Sequence, residues 1–149
     1  MINLAEVGAN TNFYEAELIN DEINLKAVIK HIEEVPNGKT AIVGKTLQEA
    51  MFKMLRILGD YPIKVKVVDG CTWKGRYTFD NGHEVFLSSH ADSNHLWCMD
   101  LTGLYVLHHE KMDKSYLRML KYRQLRGQSS LMFDDNGKET GIKGVVILF

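Results

Sequence analysis

Gly44-Lys45-Thr46 is the first group in this chain that could do chemistry, because a glycine, a lysine and a hydroxyl at a helix start are parts of a phosphate-binding loop. That loop needs an earlier glycine separated from the Gly-Lys-Thr by four residues. Lys39 stands at that place, and Gly38 is one position too far. Ala41-Ile42-Val43 also reads as a strand, whereas a phosphate loop needs backbone amides free to curl round an anion. The segment is therefore read as strand, turn and capped helix, keeping only the general affinity of a helix N-terminus for anions.

A second group is the polar stretch His90-Ala91-Asp92-Ser93-Asn94-His95-Leu96-Trp97-Cys98, with His83, His108 and His109 nearby. Five of the six histidines fall between positions 83 and 109, and imidazole with carboxylate is the usual ligand set of zinc-like ions. His90, Asp92 and His95 are the candidate metal ligands, with His108 or His109 converging if the flanking strands are neighbours. No HExxH or paired CxxC is present, so a divalent metal is the one cofactor this pattern admits and none is required. On a strand end His108 and His109 would face opposite ways, so one of them at most joins such a site.

The third group is electrostatic. Residues 111–126 carry Lys111, Lys114, Arg118, Lys121, Arg123 and Arg126 against Asp113 alone. At helical spacing Lys111, Lys114, Arg118 and Lys121 share one arc, opposite Met112, Tyr116, Met119 and Leu120. Such a face attracts phosphates or an acidic protein surface. Arg123 lies on the apolar arc, and Arg123 or Arg126 could make bidentate contacts. Residues 1–34 hold seven acids against two lysines, so the chain is bipolar, and the fold could bring the two halves together to neutralise each other.

The remaining patterns carry less. Glu15 and Glu17 share one strand face. Asp134-Asp135-Asn136-Gly137 opens like a calcium loop, but Lys138 stands where an oxygen ligand is needed. Tyr77, Phe79 and Phe86 could stack bases, or be core. Leu87-Ser88-Ser89-His90 resembles strand ends in small phage-borne proteins, inhibitors of bacterial defence nucleases among them, and that resemblance implies no site residue.

The elements that must position these groups follow from apolar period and punctuation. Residues 11–19 alternate as a strand. A helix is predicted over Asp21–Val35, closed by Pro36 and the Asn37-Gly38 turn. Lys39–Val43 is a strand. Thr46-Leu47-Gln48-Glu49 is a capping box opening a second, widely apolar helix that Gly59 closes. Ile63, Val65 and Val67 mark another strand. Asn81-Gly82 joins Arg76–Phe79 to His83–Ser88 as a hairpin, and Thr102-Gly103 joins Leu96–Leu101 to Leu104–His108 as a second. A third helix spans Lys111–Arg126, and Leu131–Phe133 with Val145–Phe149 close the chain as strands. The expectation is one compact α+β domain over residues 1–149, a mainly antiparallel sheet with two or more hairpins, covered on one face by about three helices.

Composition bounds the function. The 149 residues are 45% hydrophobic and 25% charged, with a net charge of −1, as in an ordinary globular protein. No apolar run approaches the roughly 18 residues that cross a bilayer. Two cysteines, Cys71 and Cys98, suit a reducing cytoplasm. Without a nucleophile motif, the sequence favours binding over catalysis. It reads as a small regulatory or inhibitory protein of phage or mobile-element type, docking a nucleic acid or a nucleic-acid-handling protein complex through the basic helix. A metal-dependent hydrolase or nuclease at His90, Asp92 and His95 is the second reading. A small-molecule or nucleotide-derivative binder, with Lys45 and the aromatic hairpin lining its pocket, is the third.

Overall fold

The computed structural model describes residues 2–6, 13–18, 21–60, 76–91, 96, 99–120 and 144–148. Seven strands are β1 (Ile2–Glu6), β2 (Phe13–Leu18), β3 (Lys39–Gly44), β4 (Arg76–Thr78), β5 (Glu84–Ser89), β6 (Gly103–Val106) and β7 (Gly144–Leu148). Helices α1 (Asp21–Glu34) and α2 (Leu47–Asp60) precede and follow β3. A short 3₁₀ turn, His109–Lys111, leads to a third helix, α3, described over 114–120. The expected strands at 63–67 and 131–133 lie outside the described residues.

All seven strands form one sheet in the order β1-β2-β7-β6-β3-β5-β4. The four inner pairings, β2–β7, β7–β6, β6–β3 and β3–β5, are parallel, and only the edge pairs β1–β2 and β4–β5 are antiparallel. The domain is α+β as expected, but its sheet is mainly parallel. The residues that misled are Leu104-Tyr105-Val106-Leu107, all buried. An antiparallel hairpin strand with one wet face would alternate, whereas an unbroken apolar run belongs to a strand covered on both faces. Accordingly Thr102-Gly103 makes no hairpin: Leu96 lies in a 3₁₀ turn, and β6 runs parallel to both β3 and β7.

Both faces of the sheet are covered, which corrects the one-face expectation. Leu25, Val28, Ile29 and Ile32 of α1 and Ala50, Met54 and Ile57 of α2 pack on Ile42, Val85, Leu87, Tyr105 and Ile147. On the other face Met112 and Leu120, with Tyr116 and Leu117, pack on Ala41, Val43, Phe86, Leu104, Val106 and Leu148. Phe79 and Phe86 belong to these opposite cores and Tyr77 packs partly against the first, so the three aromatics form no common stacking platform.

The Asn81-Gly82 hairpin forms between β4 and β5, with Phe79 N–H donating to His83 O at 2.8 Å. Only Gly82 takes positive φ (83°), and a Cβ there would lie 2.1 Å from Asn37 Oδ1. Asn81 ties this turn to α1 by donating from Nδ2 to Ile32 O at 2.7 Å. α2 passes through Gly59 and ends at Asp60, so Gly59 is a helical residue rather than a stop. A Cβ at Gly59 meets nothing within 4 Å. Gly59→Ala should therefore raise stability by about 0.5–1 kcal/mol through helix propensity, read as a higher urea midpoint with an unchanged slope. A lower midpoint would mean that the α2 surface is covered.

Candidate functional site

Connections from β3 and β6 leave the sheet in opposite directions. After β3 the chain enters α2 on one face. After β6, its direct neighbour, it enters α3 on the other. In open sheets of parallel strands such a switch point opens a crevice at the carboxyl ends, which is where ligands bind. The residues there are Gly44, Lys45, Thr46 and Glu49 from the β3–α2 junction, Ser88, Ser89 and His90 after β5, and His108, His109 and Glu110 after β6.

Gly44 turns the strand directly into the helix, since a Cβ would stand 2.5 Å from Thr46 O and 2.8 Å from Ala50 N. The capping box forms as the sequence implies: Glu49 N–H donates to Thr46 Oγ1 and Lys45 N–H donates to Glu49 Oε1, both at 3.3 Å. The anion seat at this helix start is thus filled by the chain's own carboxylate. Glu49 Oε2 also lies 3.4 Å from His108 Nε2, so one side chain bridges the crevice from α2 to the end of β6. His108 is held in the left-handed region (φ 51°, ψ 46°), a conformation that costs a non-glycine residue energy and is concentrated at functional sites. It stands in a turn rather than on a strand, while His109 starts the 3₁₀ turn with its Nδ1 3.7 Å from Glu110 Oε2. Glu110's own backbone N–H, and then the neighbouring His109, His108 and Lys111, hold its carboxyl below the usual range.

His90 laces the three segments together. Its backbone N–H donates to Gly44 O at 3.0 Å, and its Nε2 donates to Leu107 O at 2.7 Å. Because a carbonyl only accepts, Nε2 carries a proton. His90 therefore bonds to a main-chain carbonyl at the end of β6. Its proposed co-ligands Asp92 and His95 lie outside the described residues, and among the described residues no three His, Cys, Asp or Glu side chains are placed to hold a metal.

Lys111, Lys114 and Arg118 are exposed. Lys121, Arg123 and Arg126 lie outside the described residues, as do Cys71, Cys98, Trp73, Trp97 and the Asp134–Gly137 turn. Helix α3 starts later than expected, because Asp113 Oδ1 accepts the Tyr116 N–H at 3.0 Å and caps it, leaving Lys111 in the 3₁₀ turn. Glu15 and Glu17 face Val146 and Leu148 across β7 in register.

Sequence reading missed Asn24. It lies in the first turn of α1, which follows β2 and so stands at the same carboxyl edge. Its side chain is fully buried, and among the described residues neither Nδ2 nor Oδ1 has a hydrogen-bond partner. A buried amide with both groups unsatisfied costs roughly 1–3 kcal/mol and marks a place where a polar partner belongs. The only signal was a lone Asn on an otherwise apolar helix face.

No protein-family model and no curated protein matches the chain. Its fold is similar to solved phage structures. A large terminase from a thermophilic bacteriophage superposes with a TM-score of 0.57 at 11% identity, over 94% of this chain and 34% of that one. The same terminase in complex with ADP gives 0.55 at 12% identity, over 95% and 33%. The large terminase ATPase domain of Thermus phage P74-26 gives 0.56 at 9% identity, over 94% and 60%. This chain thus spans about a third of the first terminase and 60% of the second domain. At these identities the likeness is one of fold. It overturns the reading as a non-enzymatic regulatory or inhibitory protein, since the fold is similar to that of the large terminase structures rather than to a small docking module. Among the described residues no helix is long and apolar enough to cross a membrane.

Proposed function

We propose that this chain is an ATPase-fold domain of phage DNA-packaging machinery, binding nucleotide phosphates at the carboxyl edge of its parallel sheet. The observation that carries the reading is the switch point between β3 and β6, where Lys45, His90 and His108 gather at one crevice. The fold likeness to large terminases, one of them in complex with ADP, supports it. The orphaned amide of Asn24 at the same edge adds a donor and an acceptor for a polar ligand.

The two helix starts at this edge differ in charge. α1 opens with Asp21-Glu22 after the two-residue join Ile19-Asn20, which has no glycine and no cation and repels phosphate. α2 opens beside the exposed Lys45, and because Glu49 occupies the helix start itself, it is the Lys45 ammonium that attracts phosphate there. Binding, rather than turnover, is the property these residues account for: Lys45 supplies a point charge, and the rings of His108 and His90 supply nitrogen atoms for hydrogen bonding.

Calorimetric titration with ADP and ATP in the presence of Mg²⁺ tests this. The expected dissociation constant is on the order of 10–100 µM. Lys45→Ala and His108→Ala should each weaken it by about tenfold, equivalent to about 1.4 kcal/mol. Absence of heat with millimolar nucleotide would overturn the reading.

A further inference from the structure

Among the described residues Lys114 and Arg118, at the start of α3, make no ion pair, and Lys111 just ahead of them has Glu110 as its acidic neighbour. Tyr116, Leu117 and Leu120 turn α3 inward on the second sheet face, and Lys114 and Arg118 turn outward, exposed, with the exposed Lys111 just ahead of them. The acid-rich α1 packs on the first face, on the far side of the sheet, so its carboxylates cannot reach these groups. Glu22 of α1 is instead paired with Arg56 of α2. Two acids lie close to the cations. Asp113 is held as the α3 cap, and Glu110 faces His109. Among the described residues no ion pair engages Lys111, Lys114 or Arg118.

We infer that Lys111, Lys114 and Arg118 form a contact surface for the phosphate backbone of duplex DNA, on the opposite side of the sheet from α1 and α2. Lys114 and Arg118, four residues apart on one helix side, are separated by about 6 Å along the axis. That span is close to the distance between neighbouring phosphates along one DNA strand, so the two side chains can meet adjacent phosphates. An ammonium acts as a point charge, and the guanidinium of Arg118 can grip two phosphate oxygens at once. Lys114 and Arg118, exposed and without an ion pair among the described residues, keep their attraction for such a polyanion. No base edge is read by this surface, so its affinity is independent of sequence and steep in salt. The inference builds on the DNA-packaging reading but uses none of the nucleotide-edge residues.

Fluorescence anisotropy of a short labelled duplex tests it on the whole chain, with calorimetric nucleotide titration and thermal melting on the same preparations. Wild-type affinity should fall with salt at a log–log slope of about −2 to −3, as three phosphate contacts require. The triple reversal Lys111→Glu, Lys114→Glu, Arg118→Glu should lose at least about tenfold in affinity at low salt and flatten that slope, with melting temperature and nucleotide heat retained. Lys111→Gln, Lys114→Gln, Arg118→Gln should fall between the two, which separates charge loss from misfolding. Failure of the wild type to bind duplex, or a reversal variant that binds like wild type, would overturn the inference. So would polyglutamate competing as strongly as DNA, which would assign the surface to an acidic protein. Loss of nucleotide binding with DNA binding intact would instead count against the nucleotide reading alone.

Discussion

Acidification from pH 7 towards pH 4 should unfold this protein through two buried histidines. His83 is fully buried, its Nδ1–H donates to Val35 O at 2.7 Å, and its bare Nε2 accepts the Thr40 hydroxyl at 2.7 Å. His31 Nε2–H donates to Thr102 Oγ1 at 3.0 Å, while that hydroxyl donates on to Lys39 O and accepts Lys39 N–H. Every donor in the network is matched by an acceptor only when both rings are neutral. Burial, and then the facing His83, lowers His31 from 6.5 to about 3. Burial lowers His83 from 6.5 to about 4, against the opposing pull of Val35 O.

Both folded values lie below the unfolded one, so the contribution is complete above pH 6.5 and is lost as pH falls towards 4 and 3. In that window the unfolded chain binds the protons and the folded chain resists them, and stability rises with pH. His83 alone accounts for a loss on the order of 3 kcal/mol, a large share of the 5–15 kcal/mol that typical domains possess. Urea unfolding at pH 8, 7, 6 and 5 would show the decline beginning near 6.5, ahead of the ordinary carboxylate range. His31→Gln should remove part of that slope. A flat profile down to pH 5 would show that the rings are not the neutral pair described.

Replacing Gly44 by alanine should cost more than any other single methyl group at the carboxyl edge. The added Cβ would meet main chain, Thr46 O at 2.5 Å and Ala50 N at 2.8 Å, and main chain inside a capped helix start cannot rotate aside. Relief requires α2 to move off β3, which pulls Glu49 from His108 and separates the His90 N–H from Gly44 O. A loss of roughly 2–4 kcal/mol is expected, in the class of overpacking with loss of a cap. Nucleotide heat should fall with it. Serial urea melts would reveal the effect, and a variant as stable as wild type would mean that the β3–α2 turn has room the geometry denies.

Local rules made much of this fold readable along the chain. The capping box at Thr46–Glu49, the Pro36 stop, the Asn81-Gly82 turn and the apolar spacing of α1 and α2 depend on neighbours within a few residues. Backbone satisfaction and side-chain period fix them without help from the rest of the molecule. Strand existence was equally legible at 39–44, 84–89 and 103–106. Strand direction was not, because an apolar run such as Leu104–Leu107 says only that both faces are buried. Whether its neighbour is a hairpin partner or a strand some sixty positions earlier is decided by which helix covers each face.

The same division holds for the site. Residue type and spacing singled out Lys45, His90, His108 and the basic segment, since charge and proton-binding capacity belong to side chains wherever they stand. Glu49 was visible as a cap but not as the partner of His108, and Asn24 was visible as nothing more than a helical residue. Their roles arise because parallel pairing brings the exits of β3, β5 and β6, at Gly44, Ser89 and Val106, to one edge from well-separated places in the chain. The chain alone determined its helices, its turns and its bipolar charge, all short-range properties of covalent neighbours. Only the tertiary structure decided that Lys114 and Arg118 stand on one side of the sheet and the acids of α1 on the other, because separation in space is set by long-range packing that no local pattern encodes.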